Sequence, residues 1–260
     1  MKDYRAFSFW LETCDDDLTP RPPLDGSIDV DVAILGAGYT GLWTAYYLLK
    51  HEPSLKIAIL EKEIAGFGAS GRNGAWCTSG FPTGVGTLAE RYGRDTALGV
   101  QRAMYDAVDE VGRVAEAEGI DIEWVKGGSL RIARGPHQLP LIQQSYEAYQ
   151  KLGLADEYQY LDKQETDERV CVSDALGSIY TPNTATIHPG KLVRGLARLA
   201  ERMGATIYEQ TEVTDFTTGA YPALHNSRGH TRAKNIVLAG ESYLSQLPKT
   251  RRAVMPAYSL

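Results

Sequence analysis

The stretch from Ile28 to Glu61, IDVDVAILGAGYTGLWTAYYLLKHEPSLKIAILE, decides the fold class. Ile28 to Leu35 is β-branched and near-continuously apolar from Val30, which predicts a parallel strand covered on both faces. The glycine-rich hexapeptide Gly36-Ala37-Gly38-Tyr39-Thr40-Gly41 follows, and then Leu42, Ala45, Tyr46 and Leu49 recur at helical spacing. Pro53 closes that helix, and Lys56 to Leu60 gives a second strand ending at Glu61. Strand, turn, helix and strand make one βαβ unit.

In that context the hexapeptide is G-x-G-x-x-G with assignable parts. Gly36 permits the tight turn, Gly38 lets the backbone approach a pyrophosphate, and Gly41 lets the helix pack close to the strand. The helix start then offers free N–H groups and a favourable dipole end to two negative charges. Glu61, twenty-five residues after Gly36, can accept hydrogen bonds from both ribose hydroxyls and disfavours a 2′-phosphate, so NADP is not expected. NAD and FAD both stay open on these residues, and an NAD-dependent dehydrogenase is the reading that rests on the glycine turn alone.

Working outward, residues 1–27 end in Thr19-Pro20-Arg21-Pro22-Pro23 and read as an extended lead-in. Downstream, Gly66 to Gly86 is rich in Gly, Ser and Asn with little periodicity, and a loop that long is functional or disordered. A long helical region with Tyr105, Val108, Val111 and Ala115 on one face stops at Gly119. Ile120 to Val125 and Ser129 to Ala133 read as strands of an inserted domain. Pro189 opens a helix whose stripe is Leu192, Val193, Leu196, Leu199, Ala200 and Met203, and short strands follow up to Leu238. The expected division is 1–27 lead-in, 28–119 first part of a dinucleotide-binding domain, 120–186 inserted domain and 187–260 second part of the first domain.

Bulk properties narrow the class. The 260 residues carry a formal net charge of −6, with a pI of about 5.5, so the surface does not attract nucleic-acid backbones. Cys14, Cys77 and Cys171 lack CxxC spacing and suit free thiols in a reducing compartment. The apolar run Ala6 to Leu11 is too short for a secretory leader, and no stretch reaches the roughly 20 apolar residues of a membrane span, so a cytoplasmic location is expected. The five histidines show no metal-ligating spacing, so no metal is expected. His188 before Pro189 reads as a helix-start residue, and Trp76 and Cys77 read as packing against the next helix.

Gly66-Phe67-Gly68-Ala69-Ser70-Gly71-Arg72-Asn73-Gly74 combines small residues with polar donors, which suits backbone lying against an extended anionic ligand. With Glu61-Lys62 before it, this segment resembles the signature of the D-amino-acid oxidase-like (DAO) FAD-dependent oxidoreductases. Further similarity lies at Gly38 to Leu42, His188-Pro189 through Val193, Gly204 to Val213 and Val237 to Gly240, so it spans about Asp31 to Gly240. The resemblance implies an α/β fold: a Rossmann-like FAD-binding domain carrying an inserted, incomplete α+β substrate domain. It implies FAD as cofactor, held by Gly36, Gly38, Tyr39, Thr40, Gly41, Glu61, Lys62, Gly68, Ala69, Ser70, Arg72, Asn73, Gly74, Val213, Ala239 and Gly240. Glu61 would bind the adenosine ribose, Ser70, Arg72 and Asn73 the diphosphate or ring region, Val213 the adenine through its backbone, and Ala239-Gly240 the pyrophosphate.

Ala75 departs from the family, which has a second glycine there. Family members also continue well over a hundred residues further, so a fragment lacking the C-terminal part is expected. The implied reaction is oxidation of an amine or amino acid, with hydride passing from the carbon next to nitrogen to flavin N5 and dioxygen or another acceptor reoxidising the flavin. No catalytic acid/base pair stands out, because the cofactor carries the hard chemistry. A non-catalytic remnant that binds only an adenine dinucleotide is the alternative.

Overall fold

In the computed structural model, which describes residues 2–255, a 3-10 turn (Arg5–Phe7) leads into a single-turn helix α1 (Phe9–Glu12), then β1 (Ile28–Leu35), α2 (Tyr39–His51) and β2 (Ile57–Leu60). It continues through β3 (Trp76–Thr78), α3 (Val85–Tyr92), α4 (Arg94–Ala117), β4 (Ser129–Ala133), α5 (Leu139–Leu152), β5 (Gln159–Leu161), α6 (Lys163–Arg169), β6 (Gly177–Thr181) and β7 (Thr184–Thr186). The last elements are α7 (Pro189–Arg202), β8 (Thr206–Tyr208), β9 (Val213–Thr217), β10 (Ala223–Asn226), β11 (Gly229–Leu238) and a 3-10 turn, Glu241–Gln246.

The elements form two compact units. The first takes, among the described residues, 2–74, Ile120–Ile122 and 188–255. Its six-stranded sheet has the order β8-β2-β1-β11-β10-β9, in which β8, β2, β1 and β11 run parallel and β10 and β9 complete an antiparallel edge. Val32 sits in register with Ile57 on one side and Asn235 on the other. All four residues of β2 are buried, as expected for a strand covered on both faces. Helices α2 and α7 pack against each other, and the apolar stripe of α7 is buried along its length. This is the Rossmann-like α/β arrangement.

The lead-in expected to be extended is instead folded. A 3-10 turn (Arg5–Phe7) precedes α1, whose first N–H groups are capped by Ser8 accepting from the Trp10 N–H. Leu11 is fully buried in a cluster with Tyr4, Cys14, Leu18 and Ile64. The prolines resist helix only from Pro20 on; before them, single apolar residues spaced among charges are enough to dock the segment.

The second unit comprises residues 75–119 and 123–187. It holds α3 and α4, the antiparallel sheet β4-β6-β5, the pair β3-β7, and helices α5 and α6. The long helices therefore belong with the inserted segment rather than before it. Trp124 explains why: its ring lies so close to Gly112 of α4 that an added Cβ would stand 2.6 Å from it. Ile120 to Val125, expected as a strand, is not one. Glu123 has φ +54°, which breaks extension, and only Val125 forms an isolated bridge, to Thr186. Ile120–Ile122 packs with the first unit, where Ile122 O accepts the His188 N–H at 2.7 Å.

Ala75 is buried and holds φ +64°, a left-handed conformation that costs a residue with a Cβ about 1–2 kcal/mol. The Ala75→Gly variant is expected to gain roughly 0.5–1 kcal/mol, part of the strain relief being offset by the freer unfolded chain. Thermal melts should show a Tm higher by about 1–4 °C; an unchanged or lower Tm would show that the site is unstrained.

Candidate functional site

The end of β1, the start of α2 and the end of β2 converge on a cavity of about 520 Å³ in the first unit, within the range of small-molecule sites. The turn between β1 and α2 is fixed from several sides. Gly36 N–H donates to Leu60 O at 2.8 Å, Ala37 N–H donates to Glu61 Oε2 at 2.9 Å, and Tyr39 N–H donates to Ser70 Oγ at 2.9 Å. Gly36 has φ +100°, and a Cβ there would stand 2.6 Å from Ala239 O. The β11 end thus touches the glycine turn directly.

Glu61 is half-buried, and its backbone is clamped by Tyr208 O and the Thr211 N–H, both at 2.8 Å. Its two carboxylate oxygens each accept one backbone N–H, from Glu63 and Ala37. Each oxygen keeps a further acceptor position. Burial pushes the Glu61 carboxyl above its ordinary 4.5, the N–H donors of Glu63 and Ala37 oppose this, and the charges of Glu209 and Glu63 add to it.

Of the residues expected from the sequence, Gly36, Gly38, Tyr39, Thr40, Glu61, Lys62, Gly68, Ala69, Ser70, Val213, Ala239 and Gly240 line this one cavity. Gly41, Arg72, Asn73 and Gly74 do not. Gly41 lies under the turn, where an added Cβ would meet Gly36 O at 2.1 Å. Asn73 turns inward and caps its own loop, donating to Ala69 O and Ser70 O. Arg72 stands beside the cavity on Phe67, which does line it. Lys62 points to Glu212, 2.7 Å away.

Among the further lining residues, the sequence reading missed Phe67, Thr211, Glu241, Tyr243, Leu244, Gln246, Leu247 and Pro248 as site residues. Phe67 sits inside the Gly66 to Gly74 segment, and for the others only proximity to Val213 and Gly240 could have flagged them. His188 takes the helix-start role expected of it: it is buried, its Nδ1 accepts the Lys191 N–H of α7, and its Nε2 faces Thr13 Oγ1 at 3.0 Å. Since Nδ1 accepts, Nε2 carries the proton. Trp76 contradicts the packing expected of it, being 74% exposed, whereas Cys77 is half-buried and burial pushes its thiol up to about 11. Trp76 opposes Thr186 across the β3-β7 pair, and both fall on the exposed face.

The donor set fits an adenosine diphosphate. The N–H groups of Gly38, Thr40 and Gly41 make no hydrogen bond among the described residues, as at any uncapped helix start, and those of Gly38 and Thr40, which line the cavity, suit a diphosphate. Glu61 offers acceptors suited to a ribose. Among the described residues no cluster of metal-ligating side chains occurs, and no helix is long and apolar enough to cross a membrane.

The sequence profile of the FAD dependent oxidoreductase (DAO) family matches residues 31–259. Gamma-glutamylputrescine oxidoreductase of Escherichia coli K12 is 28% identical over 91% of this chain and 55% of its own length. A probable oxidoreductase, OrdL, of Rhizobium meliloti is 31% identical over 96% of this chain and 58% of its own. The crystal structure of glycine oxidase from Geobacillus kaustophilus superposes with a TM-score of 0.70 at 26% identity, covering 86% of this chain and 58% of that one. The chain thus spans somewhat more than half the length of the relatives it matches.

Proposed function

Because this chain belongs to the DAO family of FAD-dependent oxidoreductases, we propose that its cavity holds the adenosine diphosphate part of FAD and that the whole protein oxidises a small amine or amino acid. The observation that carries the reading is the convergence of unpaired helix-start N–H groups and the Glu61 acceptors on one cavity. Bound FAD would supply the acceptor for a hydride leaving the substrate carbon next to nitrogen, giving an imine that water hydrolyses. The residues of this chain bind and orient. The α2 start neutralises the diphosphate, Glu61 accepts from the ribose hydroxyls, the backbone at Val213 meets the adenine, and Ala239-Gly240 shapes the pyrophosphate bed. The E. coli and Geobacillus relatives carry names of amine and amino-acid enzymes, which supports that substrate class.

Titration of the chain with FAD, ADP and NADH tests this. FAD and ADP are expected to compete for one site; NADH binding without FAD binding would replace the reading with a nicotinamide enzyme. In the whole protein, the substrate amine should bleach the flavin absorbance.

Glu61 adds a pH dependence. With its folded-state value raised, the ionised carboxylate is the penalised form: no penalty exists well below 4.5, and it grows as pH rises through the raised value. Ribose hydroxyls donate to the ionised form and relieve that penalty. Adenosine affinity is therefore expected to climb with pH through the Glu61 titration and then level off. Glu61→Gln should bind roughly tenfold or more weakly, with a flat profile. Calorimetric titration between about pH 4.5 and 8 checks both; a flat wild-type profile would remove Glu61 from the ribose site.

A further inference from the structure

Beside the cavity, Arg72 is oriented by three contacts. Its Nε–H donates to Gly68 O at 3.3 Å, one Nη2–H donates to Tyr243 Oη at 3.0 Å, and the guanidinium lies over the Phe67 ring, 4.8 Å from its centroid. Phe67 is itself backed by the Lys2 ammonium, 4.5 Å from the same centroid. A guanidinium has five N–H donors in a rigid fork. Two are used, and the remaining three have no hydrogen-bond partner among the described residues.

Tyr243 reaches Arg72 from the other wall of the cavity. It belongs to the 3-10 turn Glu241–Gln246, it lines the cavity, and its ring stands 3.6 Å from where a Cβ on Gly68 would sit. The Gly66–Arg72 segment and the turn after Gly240 are therefore joined across the cavity edge through one phenol and one guanidinium. A planar cation held this way at the cavity edge, with unused donors, is suited to an anion such as a diphosphate.

We infer that Tyr243 is a positioning residue: it holds the Arg72 guanidinium across the cavity edge, and the pair forms a clasp over the diphosphate that slows dissociation of the dinucleotide. The inference rests on the proposed FAD-binding role of the cavity and adds to it a residue and a kinetic function. An oriented cation at the exit acts on the off-rate, since the diphosphate must break its contacts before leaving.

The test is a double-mutant cycle in the full chain with Tyr243→Phe, Arg72→Met and the pair, reading FAD dissociation by stopped-flow fluorescence and the affinities of ADP and adenosine by calorimetry. Tyr243→Phe is expected to speed FAD release about tenfold and to weaken ADP equally, about 1.4 kcal/mol, while adenosine, which has no diphosphate, binds as before. In the Arg72→Met background the Tyr243 substitution should have no further effect, and melts should show both single variants folded like the wild type. Wild-type release from Tyr243→Phe, additive effects, or equal weakening of adenosine would overturn the clasp while leaving the cavity assignment standing. Failure of the wild-type chain to bind FAD and ADP would overturn the cavity assignment and the clasp with it.

Discussion

Gly41→Ala is expected to abolish measurable FAD binding, lowering affinity by at least ~100-fold, or about 2.7 kcal/mol. The added Cβ would stand 2.1 Å from Gly36 O and 3.2 Å from Ile34 Cγ2. The nearest obstacle is backbone, so no rotamer change relieves it. The Gly36 carbonyl cannot retreat either, because Gly36 sits at φ +100° with Ala239 O against its other side. Relief requires α2 to move off β1, and that displaces the N–H groups of Gly38 and Thr40 proposed to meet the diphosphate. Overpacking of this kind costs about 1–3 kcal/mol in stability. Gly99→Ala is the control: Gly99 is exposed within α4 with open space around its Cα, so binding should be unchanged. Fluorescence titration of both variants decides the matter, and near-wild-type affinity for Gly41→Ala would show that the turn does not position the ligand.

Arg194→Met is expected to lower stability by about 3–5 kcal/mol, because it removes one partner from a buried charge network. Arg194 is 3% exposed and Glu209 is fully buried. The Arg194 guanidinium donates to Asp16 Oδ2 at 2.6 Å, Asp17 O at 2.8 Å and Ala65 O at 3.3 Å, and stands 3.6 Å from Glu209 Oε1. Glu209 in turn accepts from the Ala65 N–H and from the Arg21 backbone and guanidinium, and Arg21 also pairs with Glu201. The network thus nails the N-terminal segment to α7 and holds both polar groups of Ala65, next to Gly66 of the cavity wall. A Tm lower by roughly 6–20 °C is expected. Adding Glu209→Gln to Arg194→Met removes the stranded charge, so the double variant should lose less than the two single losses summed. A shift below about 1 °C would mean that water reaches the network, as it does at the exposed pair of Lys163 with Asp167.

The β1-turn-α2-β2 unit was legible in the sequence because each part has a local cause. Apolar runs predict covered strands, the stripe at Leu42, Ala45, Tyr46 and Leu49 predicts a packed helix, and the three glycines mark where backbone needs room. Glu61 was legible because its spacing from the turn follows from the helix length between two adjacent parallel strands. Arg72, Asn73 and Gly74 looked alike in sequence, as members of one small polar run. Only the fold separates them: Asn73 spends its amide on its own loop, and Arg72 turns toward Tyr243, 171 residues away.

The sequence by itself determined the α/β class, the glycine turn and Glu61, since these follow from periodicities and spacings within about thirty residues, and the family resemblance added others, so that twelve of the sixteen expected site residues line the cavity. The tertiary structure alone decided the rest. It folded residues 2–27 onto α7 through ion pairs that no local pattern encodes, and it assigned α3 and α4 to the second unit through contacts such as Trp124 on Gly112. It also brought Tyr243 to Arg72. Long-range side-chain pairs depend on where whole elements pack, and packing is settled by burial summed over the chain, which a local reading cannot sum.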